Sequence, residues 1–259
     1  MSEFQTMLIV TAVAGAVTGI GALPVFIRTR VSHRTYDAAL GLAAGIMIAA
    51  SVFGLILPGM EEGTLQAVIA GVFIGGFSLL VANRLLPHVH VWFDERHGEG
   101  GAGDDPERES TLRRAVLIGS AITLHNAPEG LAMGIAFASG LEEVAFLLAI
   151  VIGLQNIPDG FAFALPMSDT GMSNARVVLY TTLSGLVPQV TAALFGFALV
   201  AVATGFFPIA AGFAAGAMMA VVFREMIPAS HGHGYVDAAT AAFLVGFSII
   251  IVVDAVLVL

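Results

Sequence analysis

Cysteine and lysine are both absent from these 259 residues, tryptophan occurs once, and only 11% of the chain is charged. Without cysteine there are no disulfides, no thiolate metal ligands and no thiol nucleophile, and the redox compartment is left unread. Any metal must then be held by nitrogen, oxygen or thioether. Without a basic cluster there is no surface for nucleic acid, and the formal charge of −9 comes largely from loops. Such scarcity of charge excludes an ordinary soluble domain, where about a quarter of residues are charged.

What is present is apolar length. Hydrophobic residues make up 58% of the chain, and a bilayer-spanning helix needs about 20 of them in a row. Eight stretches qualify, roughly 4–27, 36–58, 64–87, 115–139, 144–167, 175–203, 206–229 and 236–258. The expectation is an all-α polytopic membrane protein of eight transmembrane helices, with residues 1–259 forming a single transmembrane domain in a lipid bilayer. Only one connection, about 88–114, is long and polar, too short for a separate soluble domain of about 50 residues or more. The first stretch follows Met1-Ser2-Glu3 with no basic residue. It exceeds the roughly 7–15 residues of a signal-peptide core and reads as a true first helix.

Eight helices place every arginine on one side: Arg28, Arg30 and Arg34 in the first connection, Arg84, Arg96, Arg108, Arg113 and Arg114 around the long one, then Arg176 and Arg224. The positive-inside rule puts that side in the cytoplasm and both termini outside a cell membrane, inner or plasma. The opposite loops carry acids, Glu61 and Glu62, then Glu142 and Glu143. Adding or dropping a helix would scatter the arginines over both faces. The long loop holds His88, His90 and His97 among acids. Three unevenly spaced histidines without a scaffold read as a solvated, flexible cytoplasmic linker ahead of a metal-buffering segment.

Ionisable groups at membrane depth are expensive and mark function. Two matching strings carry them, His125-Asn126-Ala127-Pro128-Glu129-Gly130 and Gln155-Asn156-Ile157-Pro158-Asp159-Gly160. Each lies about half way along its span, so in antiparallel helices they meet near the midplane. Positions i and i+4 share a face, which stacks His125 over Glu129 and Gln155 over Asp159. Pro128 and Pro158 free carbonyls one turn back, and the glycines permit close approach. One imidazole, two carboxylates and up to three amide oxygens then converge, a set that suits a cation. The imidazole favours a transition ion over Mg²⁺ or Ca²⁺, and the lack of thiolate suits reversible holding.

These strings resemble those of the ZIP (Zrt/Irt-like) metal transporters, within them the GufA-like branch, along the whole chain. The resemblance implies a 3 + 2 + 3 helix arrangement and import of a divalent transition metal, Zn²⁺ first and Cd²⁺, Fe²⁺ or Mn²⁺ as others, into the cytoplasm. It also implies alternating access, with helices one, four, five and six moving as a unit, a homodimer as frequent state, and no bound cofactor. Carried over, His125, Glu129, Gln155 and Asp159 match the primary metal site, and Asn126 and Asn156 the adjacent second site. Asp159 is a methylene shorter than the family's usual glutamate. Helix six reads Ser184-Gly185-Leu186-Val187-Pro188-Gln189 where the family often has S-G-x-x-E-P, so Gln189 stands in place of a glutamate. A primarily mononuclear site is expected.

Other positions fit a pathway. Met47 resembles a residue that lines it, with ordinary packing as the competing reading, and Ser51 lies near it. Glu61, Glu62 and Asp254 sit near the outer ends of helices two and eight, able to attract cations or simply be solvated. Glu225 with His231 and His233 resembles the exit. Against an enzyme, the sequence lacks H-E-x-x-H, G-x-S-x-G and cysteine. A proton/cation exchanger using the buried His, Glu and Asp as a relay stands as the alternative.

Overall fold

A computed structural model of the chain describes residues 2–27, 31–97, 125–168 and 171–257. Every regular element among them is helical. In chain order these are α1 (Glu3–Gly21), α2 (His33–Glu61), α3 (Leu65–His97), α4 (125–138), α5 (Glu142–Ser168), α6 (Asn174–Val202), α7 (Phe207–Ser230) and α8 (Val236–Leu257). Seven of them, all but α4, contain a stretch long and apolar enough to cross a membrane. The first part of the fourth expected span, 115–124, lies outside the described residues, as do 98–114 of the long loop, Arg28 and Arg30.

The linker expected from 88 starts later, because α3 continues to His97. Hydrophobicity located where the span could end, but a helix satisfies its own backbone and needs no bilayer to continue. No glycine or proline interrupts 88–97, so nothing in that stretch breaks the helix. At the other extreme of the chain, Ser2 and Gln5 form a capping box that opens α1.

The bundle is apolar outside and encloses a polar cluster within a largely apolar core. Phe73, Phe195 and Phe223 are 60%, 68% and 68% exposed, while Glu129, Gln155 and Gln189 are fully buried. That distribution suits a lipid surround, where helices gain nothing by hiding apolar side chains and associate through close packing of small residues. Along α3 and α7 this is reciprocal: Gly71 and Gly75 lie against the backbone of Ile209 and Phe213, and Gly212 and Gly216 against Val68 and Val72. The pairs α2/α8, α1/α5 and α1/α6 are also packed backbone to backbone at glycines. Where α2 crosses α5, Gly54 instead meets the Leu148 side chain.

α2 and α7 share one irregularity. Each contains a π-helical turn, Val52–Ile56 and Val222–Met226, just before Pro58 and Pro228. A proline removes a backbone donor and crowds the carbonyl four residues back, and widening the preceding turn relieves that crowding. Glu225 belongs to the second of these turns, a kind of turn common at functional sites.

Candidate metal centre

α4 and α5 are joined by the short connection 139–141, with Gly140 at φ +78°, a left-handed turn that suits glycine at a helix end. The antiparallel pair that results sets Glu129 beside Gln155, whose Nε2 donates to Glu129 Oε1 in a short hydrogen bond. α6 supplies the third wall. A Cβ on Gly130 would run into the backbone of Gln189, so α4 and α6 touch along their main chains and Gln189 reaches over Glu129. Its Nε2 lies 2.6 Å from Glu129 Oε2, 2.9 Å from Asn126 Oδ1 and 3.1 Å from Asn156 Oδ1.

The asparagines are oriented by main-chain carbonyls. Asn126 Nδ2 donates to Ser184 O at 3.3 Å and Asn156 Nδ2 to Ala14 O at 2.7 Å. With each NH₂ committed, each Oδ1 must face the cluster. The result is one buried carboxylate wrapped by four amides from α4, α5 and α6. One polar atom there is left over: Gln155 Oε1 is buried and has no hydrogen-bond partner among the described residues. A buried, unsatisfied oxygen beside a buried carboxylate is costly unless a ligand uses it.

Asp159 is half-buried one turn beyond Gln155 on α5. A carboxylate taken out of water is costly unless its charge is offset. A divalent cation would offset it.

His125 is held elsewhere. Its Nε2 lies 3.3 Å from Glu225 Oε2 on α7, and Glu225 Oε1 accepts from Asn83 Nδ2 of α3 at 2.7 Å. The predicted convergence is thus divided into an amide cage around Glu129 and a second station of His125, Glu225 and Asn83. Among the described residues no group of three His, Cys, Asp or Glu side chains is gathered in a metal-holding arrangement.

The remaining predicted positions separate further. Met47 is fully buried in the core, and Ser51 donates its hydroxyl to the Met47 carbonyl at 2.8 Å. Glu61 and Glu62 are exposed at the end of α2, and Asp254 is half-buried on α8. His231 Nδ1 lies 2.7 Å from Ile227 O and 3.0 Å from Ser230 Oγ, closing the last turn of its own helix. His233 pairs at 2.8 Å with Asp37, a fully buried acid on α2, and stacks on His33. Asn83 and Asp37 were not singled out from sequence. Their signal was present, a polar residue inside an apolar stretch, but both sit near stretch ends, where polarity is ordinary.

The fold and this centre define a class: a multi-pass helical membrane protein with an oxygen-rich polar centre deep in its bundle. Residues 94–254 match the family model described as ZIP Zinc transporter. The chain is 36% identical to the zinc transporter GufA of Myxococcus xanthus, over 95% of this chain and 97% of that protein. It is 38% identical to the zinc transporter ZIPB of Bordetella bronchiseptica, over 92% and 77%, and 31% identical to human zinc transporter ZIP11, over 98% and 97%. The chain belongs to the ZIP zinc transporter family.

Proposed function

We propose that this chain imports a divalent transition-metal cation, Zn²⁺ first, from outside the cell into the cytoplasm by alternating access, binding it at Glu129, Gln155 and Asp159 with Asn126, Asn156 and His125 near by. The observation that carries the reading is Gln155 Oε1, buried without a partner among the described residues next to the Glu129 carboxylate. Turning that amide over replaces an N–H donor with an oxygen and frees Glu129 Oε1 for the ion. An all-nitrogen-and-oxygen set without thiolate holds Zn²⁺, Cd²⁺, Fe²⁺ or Mn²⁺ loosely enough to let go. The zinc transporters to which the chain is similar support zinc as cargo.

The station of His125 and Glu225 then serves release. It lies toward the arginine-bearing side of the bundle, which the positive-inside rule makes cytoplasmic, leaving both termini outside. Glycine contacts that join α1 with α5 and α6 and α4 with α6, and separately α2 with α8 and α3 with α7, support two bodies that move against each other. The Gly54 and Leu148 contact, side chain on backbone, suits a sliding seam. The pairing of α1 with α6, α2 with α8 and α3 with α7 also fits a 3 + 2 + 3 arrangement in one transmembrane domain.

In proteoliposomes carrying an internal metal-sensitive dye, external Zn²⁺ should enter, and Cd²⁺, Fe²⁺ and Mn²⁺ should compete while Mg²⁺ and Ca²⁺ should not. Proton movement without metal uptake would overturn the proposal in favour of an exchanger. Asp159→Glu, which restores the reach of a longer acid, should hold or tighten the apparent KM for Zn²⁺. A complete loss of uptake would mean that the cavity requires the shorter side chain.

A further inference from the structure

Gln189 differs from Gln155 in how it is held. Gln155 leaves its oxygen unpartnered, whereas both ends of the Gln189 amide are engaged. Its Oε1 accepts from Asn156 Nδ2 at 3.2 Å, and its Nε2 faces Glu129 Oε2, Asn126 Oδ1 and Asn156 Oδ1. Its orientation follows from its neighbours: a carboxylate oxygen at 2.6 Å must face an N–H, and the two asparagine oxygens are turned inward by the carbonyls of Ser184 and Ala14. The side chain cannot easily turn over. A Cβ on Gly15 of α1 would come within 3.1 Å of Gln189 Oε1, and the backbone of Gln189 is pressed on Gly130.

Three oxygens converging on one atom is the geometry of a cation site, and here the central atom is an amide nitrogen. An NH₂ group has two hydrogens and so cannot give a full bond to all three oxygens. Contraction of the oxygens by about 0.4–1.1 Å would bring them to metal–oxygen distances of about 2.0–2.2 Å.

We propose that the Gln189 amide is a built-in substitute for a cation: its N–H groups occupy the place where a second ion would sit, so that the transporter carries a single ion on the Gln155 side of Glu129. This rests on the reading of Glu129 as a cargo ligand. The partial positive charge of the amide stabilises Glu129 from one side and leaves the other to the cargo. Gln189 is thereby a specificity-determining residue, setting how many ions load and from which side. Gln189→Glu exchanges the donors for oxygens, adds a second negative charge to a desolvated cluster, and makes that cluster require a cation.

The test is the number of ions bound by purified full-length protein in Zn²⁺, counted by elemental mass spectrometry, with anomalous diffraction at the zinc edge to locate them. The wild type should bind about one ion in the cage and Gln189→Glu about two, because an all-oxygen cluster with an added carboxylate recruits a divalent ion. Gln189→Asp, with a shorter side chain, serves if Gln189→Glu does not fold and should also gain an ion. Gln189→Leu removes the donors without supplying an acid and should stay at one. Two cage ions in the wild type, or an unchanged count in both acidic variants, would overturn the inference while leaving Glu129 as cargo ligand. No ion near Glu129 in the wild type would overturn the cargo reading and this inference with it.

Discussion

Glu129→Ala is expected to lower metal uptake into proteoliposomes by about 100-fold or more while the protein still elutes as a folded species. Loss of a residue that merely orients a metal ligand costs about 10–100-fold, and a direct carboxylate ligand should cost at least the upper end. Glu129 is fully buried and accepts from both Gln155 and Gln189, so both amides address it. Its removal leaves two sets of N–H groups facing each other, an environment that repels a cation. His125→Ala should also lose uptake, through a different step. With His125 paired to Glu225 rather than to Glu129, its loss should fall mainly on the maximal rate, and that of Glu129 on loading, seen as lost ion binding at equilibrium. Normal transport by both variants would remove these residues from the pathway.

The second large effect is expected at Gly130. Any side chain there meets the carbonyl, carbonyl carbon and Cα of Gln189, which are main-chain atoms and cannot swing aside as a flexible side chain can. Gly130→Ala must push α4 from α6. Overpacking costs about 1–3 kcal/mol, and a chain of this size shifts in Tm by roughly 2–4 °C per kcal/mol, so a fall of about 2–12 °C is expected in detergent. Separating the helices also draws Gln189 from Glu129, and uptake should fall with stability. Gly205→Ala supplies the comparison, because among the described residues no atom beyond its chain neighbours lies within 4 Å of a Cβ built there. Equal Tm values for the two variants would contradict the close α4/α6 contact.

Much of this was open to reading from the chain. The apolar stretches, the one-sided arginines and the two proline-centred strings are local features, and a helix in a bilayer is a local structure whose hydrogen bonds close within it. Seven spans in the structure follow those stretches. The course of α3 through 88–97 did not, since a helix satisfies its own backbone and can continue beyond an apolar stretch. Nor did the division of the polar residues: i and i+4 spacing put His125 on the face of Glu129, yet a histidine one turn away can point past its neighbour to another helix. Glu225 is 100 positions distant in the chain and offers the better partner for an imidazole than an amide cage already filled with N–H groups.

The sequence by itself determined that this protein lies in a membrane, roughly where its helices run and which polar residues interrupt them, because hydrophobic length, charge asymmetry and proline act within a few residues. Only the tertiary structure decided what those residues do to one another. Gln189 donates to Glu129, Gln155 has an oxygen unpartnered among the described residues, and His125 answers to Glu225, because side-chain orientation depends on how closely backbones approach and on which distant carbonyls claim each amide. Those contacts, set at glycines such as Gly130 and Gly15, join residues that no local pattern connects.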